Sequence, residues 1–320
     1  MKNKNFLKGC KTLVSTCGNV KRNERVLILT NRKTLIIAQT VAEIVAPITP
    51  HIDLQLLPDA TMHGQEPAAA IARKMCASDV IFALTKFSMA HTKARQKACR
   101  KAVRYLSLVD YDDSVIQSPS LQINFRLLTE RSQKLADIFT RGKKIQILTK
   151  QGTDLTGSIV GRHGNSAPGW CWKKGSLASP PDAESNVALV EDASEGILVV
   201  DGSIPCPQIG LLKSPQILTV KKGKVVKIQG TKARILNKLF DSCGPKARVL
   251  AELGVGLNPK ARLSGYMLED EGCLGTIHIG MGSNATIGGK NSVPFHLDHI
   301  IKSATLLVDD KTIMKDGKAL

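Results

Sequence analysis

Three of the seven histidines in this 320-residue chain, His278, His296 and His299, fall within 22 residues of one another. Gly275-Thr-Ile-His-Ile-Gly280 alternates like a strand, which puts Thr276, His278 and Gly280 on one face. Phe295-His-Leu-Asp-His299 sets His296 and Asp298 at i and i+2. In an extended segment these two project to one side and His299 to the other. An imidazole and a carboxylate on one face are ligands for Zn2+, Mn2+, Co2+ or Fe2+. The H-x-D spacing by itself fits hydrogen-bonded histidines at a domain edge equally well. Gly280, Gly282, Gly288 and Gly289 surround these residues and permit tight turns and close backbone approach. His51, His63, His91 and His163 are isolated in sequence and read as surface or structural.

The elements that must position these groups divide the chain in two. Arg25–Thr30, Ile52–Leu57 and Asp79–Leu84 read as strands, with helices expected over Thr34–Ile44, Glu66–Cys76 and Met89–Tyr105. That alternation predicts an α/β domain over residues 1–118 with a mostly parallel sheet. No G-x-G-x-x-G follows the first strand, so no nicotinamide or flavin cofactor is expected. Beyond a helix over Asn124–Phe139 the chain becomes rich in strands and glycine, with a hairpin expected around Gly223. Residues 119–320 are therefore expected to form an α+β domain carrying the metal site.

Composition narrows the function. The chain has 45 Lys+Arg against 27 Asp+Glu, a formal charge of +18. Residues 1–150 hold 25 basic and 11 acidic residues, so the imbalance sits away from the histidines. The segment Lys86–Arg104 contains seven cations and no acid, yet no nucleic-acid-binding motif accompanies it, and aromatics are only 4%. It reads as a solvated helix face, and nucleic acid is not an expected partner. No apolar run reaches a membrane span, and the N-terminus lacks the apolar core of a signal peptide. The eight cysteines form no C-x-x-C pair, so a cytoplasmic, reduced protein without membrane contact is expected.

Ala251-Glu-Leu-Gly-Val-Gly-Leu-Asn-Pro259, Leu268-Glu-Asp-Glu271, Gly275–Asn284, Gly288-Gly-Lys-Asn291 and His296-Leu-Asp298 occur in that order. Together they resemble the aminopeptidase T family of thermophile-type leucyl metallo-aminopeptidases. Its superfamily includes the ring-opening 2,5-dihydroxypyridine 5,6-dioxygenase. The resemblance is dense over residues 180–320 and fainter before. It implies five metal ligands: Glu184 in Pro181-Asp-Ala-Glu184, Glu252 in Ala247-Arg-Val-Leu-Ala-Glu252, His278, His296 and Asp298. These would hold two divalent ions, Zn2+, Co2+ or Mn2+, with Glu252 or Glu271 as the catalytic acid that moves a proton. It also implies a peptide or small-molecule substrate and a homodimer. The aminopeptidases carry a tyrosine shortly after the first histidine, where this chain has Ser283-Asn-Ala-Thr286 and the nearest tyrosine is Tyr266.

Three functions follow as expectations. The first is a metal-dependent hydrolase of aminopeptidase type. The second is a ring-cleaving dioxygenase with one Fe2+, in which His278, His296 and Asp298 form the triad. The third is a basic nucleic-acid-binding protein with a degenerate site.

Overall fold

The computed structural model describes residues 3–319. Two compact units emerge, one of residues up to Leu127 with Pro168–Pro181, the other of Leu128–Ala167 and Asp182 onward. The boundary expected at residue 118 lies inside the first unit. Leu121 and Phe125 beyond it are fully buried, and Leu177–Ala178 returns to pair with Arg104–Ser107. Among the described residues no helix is long and apolar enough to cross a membrane.

The first unit holds a five-stranded sheet whose pairings are all parallel. In order, its strands are Ile52–Leu56, Val26–Thr30, Val80–Leu84, Arg104–Ser107 and Leu177–Ala178. Val26–Thr30 and Val80–Leu84 are buried at every position, as the apolar runs of a covered parallel sheet require. The basic helix is shorter than its expected range of Met89–Tyr105, covering Lys93–Arg100. The Thr92 side chain accepts from the Arg95 N–H and caps its start, while Ala102 at φ 69° ends it. Arg104 leaves the cationic face altogether. It is buried in a strand, where it pairs with Glu24 at 2.5 Å and donates to the Gly18 and Asn19 carbonyls. Lys97, Arg100 and Lys101 stay exposed. Changing all three to glutamate is expected to leave turnover of a small substrate within about twofold, since exposed surface substitutions change stability by only about 0.5 kcal/mol. Steady-state kinetics checks this, and a collapse of kcat would contradict it.

The second unit contains an eight-stranded sheet and a five-stranded one. The smaller sheet is antiparallel throughout. Its order is His296–Lys302, Thr276–Gly282, Leu250–Gly256, Glu184–Ala188 and Gly164–Ala167. Its inner face contributes Val187, Leu253, Val255, Ile277, Ile279, Met281, Leu297 and Ile301 to one apolar cluster. The larger sheet supplies Ile145, Ile147, Leu155, Leu198, Leu218 and Leu306 to the same cluster. Each such side chain contributes about 1.5–3 kcal/mol by burial. Because side chains alternate along a strand, packing this inner face commits the intervening residues to the other side. Those intervening residues are the chemical ones.

Candidate metal centre

Four neighbouring strands each bring at least one of the expected ligands to the outer face of the small sheet. The register sets Gly254 opposite His278 on one side and Asn186 on the other. One row further, Gly280 lies between Glu252 and Asp298, and Gly282 faces His296. Candidate ligands therefore stand beside glycines across the sheet, and Gly254 and Gly280 leave the space those side chains occupy. A Cβ on Gly254 would lie 2.0 Å from the His278 Nε2, and one on Gly280 would lie 2.8 Å from the His296 Nε2 and 3.0 Å from the Asp298 Oδ1. Alanine at 254 must push the His278 ring aside. We expect Gly254→Ala to lower stability by about 1–3 kcal/mol through overpacking and to weaken ion binding by at least about tenfold. Thermal melts and a divalent-ion titration check both, and unchanged ion affinity would contradict the close approach.

All five expected ligands meet here. Glu184, Glu252 and His278 form one group, and Glu252, His296 and Asp298 form a second, with donor atoms in each group within 4.8 Å of one another. Asn186 donates to the Glu184 Oε1 at 2.6 Å, leaving Oε2 3.1 Å from the His278 Nε2. The His296 Nε2 stands 3.3 Å from both Glu252 and Asp298, while its Nδ1 lies 2.8 Å from the Ser283 carbonyl. That carbonyl can only accept, so Nδ1 donates and Nε2 faces the carboxylates. Ser132, on the helix Thr129–Arg141, donates to the Glu184 carbonyl at 2.9 Å and holds that strand from behind.

Sequence reading missed Asp182. It is buried, and its Oδ1 has no hydrogen-bond partner. The signal was present in the D-x-E spacing of Pro181-Asp-Ala-Glu184. Glu271 arrives on the segment after the short helix Met267–Asp270. Asp270 anchors that segment, buried and accepting from Ser203 Oγ at 2.5 Å and from the Ser264 and Gly265 amides. Glu271 hydrogen-bonds Asp298. His299 points to the opposite face, fully buried and stacked on Phe240. Cys273 is not a ligand: its thiol donates to the Ala261 carbonyl, and burial pushes it to about 11.

The site suits divalent cations on its own chemistry. Asp182 Oδ1 and His278 Nδ1 are buried without hydrogen-bond partners, and the buried Glu184 Oε2 and Asp298 Oδ1 face only imidazole nitrogens or another acid. Such atoms are costly unless something else satisfies them. Asp182, Glu184, Glu252, Glu271 and Asp298 are five acids sharing one site with two imidazoles. Burial and mutual repulsion raise Asp182 and Glu271 well above the usual carboxylate range. Burial raises Glu252 too, against the pull of His296. Burial depresses His278, but Glu184, Asp298 and Glu252 outweigh it and lift the ring to about 9. Burial opposes ionisation of Asp298, yet His296 and His278 hold it below its ordinary value.

These shifts set the pH dependence of the metal-free protein. Acids raised in the folded state hold protons that the unfolded chain releases, so their contribution to stability falls as pH rises past about 4. A histidine raised to about 9 stabilises fully below its ordinary value and loses that contribution as pH climbs through 9. Asp298 acts oppositely, but only during acidification. The Tm of chelator-treated protein is therefore expected to fall between about pH 6 and 9, and excess Mn2+ should flatten the slope. A Tm of the chelated protein that is level across this window would contradict the charge balance described.

Comparison with known proteins gives the family and the fold. The model of the family NicX: 2,5-dihydroxypyridine 5,6-dioxygenase matches residues 6–320. The structure of 2,5-dihydroxypyridine dioxygenase from Pseudomonas putida KT2440 gives a TM-score of 0.86 at 18% identity, covering 99% of this chain and 97% of that one. Wild-type AmpT from Thermus thermophilus gives 0.69 at 13% identity, with 100% of each chain covered. At such identities these likenesses are of fold. No curated protein sequence matches the chain closely. The resemblance read from the ordered motifs holds on both sides, in a family model and in two related folds. With nearly its whole length matched, the chain belongs to the 2,5-dihydroxypyridine 5,6-dioxygenase (NicX) family of enzymes.

Proposed function

We propose that this enzyme is a metal-dependent hydrolase of aminopeptidase type, removing N-terminal residues from peptides or related amides. The observation that carries the reading is Glu252, whose carboxylate belongs to both ligand groups. Five side chains thus offer two ion positions joined by one acid. Two divalent ions there supply Lewis acidity toward a carbonyl and lower the pKa of water to about 7. Each group combines two carboxylates with one imidazole. An Fe(II) facial triad takes two imidazoles and one carboxylate.

The chain's own residues divide the remaining work. Gly280, between Glu252 and Asp298, keeps space open on the outer face of the sheet. His296 is 31% exposed where His278 is 2%, so solute reaches the group that contains His296. Glu271 hydrogen-bonds Asp298, and burial among the neighbouring acids raises its carboxyl above the usual range, which suits it to donate a proton to a departing amine. This assignment replaces the tyrosine of the aminopeptidases. The segment Ser283–Thr286 has none, and Asn284 there is fully buried.

A second reading is supported by the family itself and by the higher fold similarity to the Pseudomonas putida dioxygenase. It makes the chain a dioxygenase for a hydroxypyridine-like ring, with one Fe2+ at His278, His296 and Asp298. Metal analysis of protein purified without added metal, with two assays, separates them. The hydrolase reading expects about two Zn2+, Co2+ or Mn2+ per chain and release of the N-terminal residue from an aminoacyl anilide. One Fe2+ per chain, with O2 uptake on 2,5-dihydroxypyridine and no amide hydrolysis, overturns it.

A further inference from the structure

The connection between the strands Thr276–Gly282 and His296–Lys302 is tied down by a buried polar network that touches none of the ligand atoms. Asn284 is its hub and is fully buried. Its Nδ2 donates to the Leu189 carbonyl at 3.3 Å, the Ala251 carbonyl at 3.2 Å and the Glu191 Oε1 at 3.0 Å. Its Oδ1 accepts from the Asn291 N–H at 2.9 Å, and its own N–H donates to the Asn291 carbonyl at 3.1 Å. Gly289 packs its Cα against the amide, where a Cβ would lie 2.0 Å from the Asn284 Cγ. Glu191 carries the network outward. It pairs with the Arg162 Nη2 at 2.6 Å and accepts from the Lys290 N–H, while the Arg162 Nη1 donates to the Gly288 carbonyl.

Two neighbours of this hub lead directly to the metal centre. Ser283, the preceding residue, supplies the carbonyl 2.8 Å from the His296 Nδ1. Ala251, whose carbonyl Asn284 binds, precedes Glu252 in its strand. One amide thus fixes the backbone on both sides of the gap between Glu252 and His296. A metal-ligating histidine is commonly held by such an acceptor on its other nitrogen, and losing that partner costs about 10–100-fold in ion affinity.

We propose that Asn284, braced by Glu191 and Arg162, is a positioning residue that orients His296 through the Ser283 carbonyl and so sets the affinity of the Glu252–His296–Asp298 ion position. His278 is outside its reach, because that ring is set by Glu184 and by the space at Gly254. Glu252 is common to both positions, so the effect is larger at the position that also holds His296, and in that respect the inference rests on the two-ion reading above.

The test is calorimetric titration of the metal-free chain with Mn2+, accompanied by the visible absorption of the Co2+-loaded protein. In Asn284→Ala one dissociation constant is expected to weaken by about 10–100-fold and the other to stay within about threefold. The Co2+ bands of the weakened position should change and those of the retained position should not. Equal weakening at both positions would mean general loosening and would overturn the inference, as would unchanged affinities in a folded variant. If the wild type binds a single ion, the two-ion reading fails by itself, and an unchanged Kd for that ion in Asn284→Ala still overturns the inference. Should Asn284→Ala fail to fold, Arg162→Gln removes the outer brace only. It is expected to weaken the same position by about tenfold, and a Kd equal to that of the wild type overturns the proposal.

Discussion

Alanine at position 252 is expected to leave the folded protein without either bound divalent ion and without measurable turnover. Glu252 is the one side chain common to both ligand groups, so its loss leaves two donors at each position. The affinity loss at each should exceed the roughly 10–100-fold typical of an outer partner, because an ion-bonded oxygen is removed outright. Stability should move the other way. Burial raises Glu252 above its ordinary value, so its charge is unfavourable in the metal-free fold. Glu252→Gln, which keeps the shape, is therefore expected to melt no lower than the metal-free wild type while still failing to retain ions. Melting curves with and without Mn2+ separate the two effects. A variant that keeps two ions would remove Glu252 from the centre, and one that loses only a single ion would show that it is not shared.

His296→Ala is the second large effect. It removes the only imidazole from the Glu252–His296–Asp298 group, and that ring is the most exposed of the five ligands. One ion should be lost and the other retained at Glu184, Glu252 and His278. We expect kcat to fall by about 10³-fold or more, equivalent to ~4 kcal/mol of transition-state stabilisation. The fold should persist, since the ring is surrounded by carboxylates rather than by the apolar cluster. Metal analysis, steady-state kinetics and circular dichroism together check the prediction. Full ion content with full turnover would move the chemistry away from this sheet.

The contrast between the His296 and His299 neighbours shows how far local pattern reaches. His296 and Asp298 share a face because they are two residues apart in a strand, and His299 falls on the other face for the same reason. That much was legible. The meeting of Glu184, Glu252 and His278 was reached through ordered motifs and not through spacing, because these residues come from three separate strands. Asp182 escaped notice although its D-x-E spacing could have signalled it. Periodicity alone extends the basic helix beyond its true ends, because Thr92 and Ala102 bound it through a cap and a left-handed turn that periodicity does not report. The return of Leu177–Ala178 to the first unit was hidden as well, since a two-residue strand has no period.

By itself, then, the sequence determined which residue types could bind a cation and which of them share a face along each strand. Side-chain alternation is a property of the backbone and needs no partner. Only the tertiary structure decided that Gly254 lies beside His278 and Gly280 between Glu252 and Asp298. Cross-strand register is set by burial of the apolar inner face, which draws on residues more than a hundred positions apart. That register sets Gly254 and Gly280 where His278, His296 and Asp298 need room.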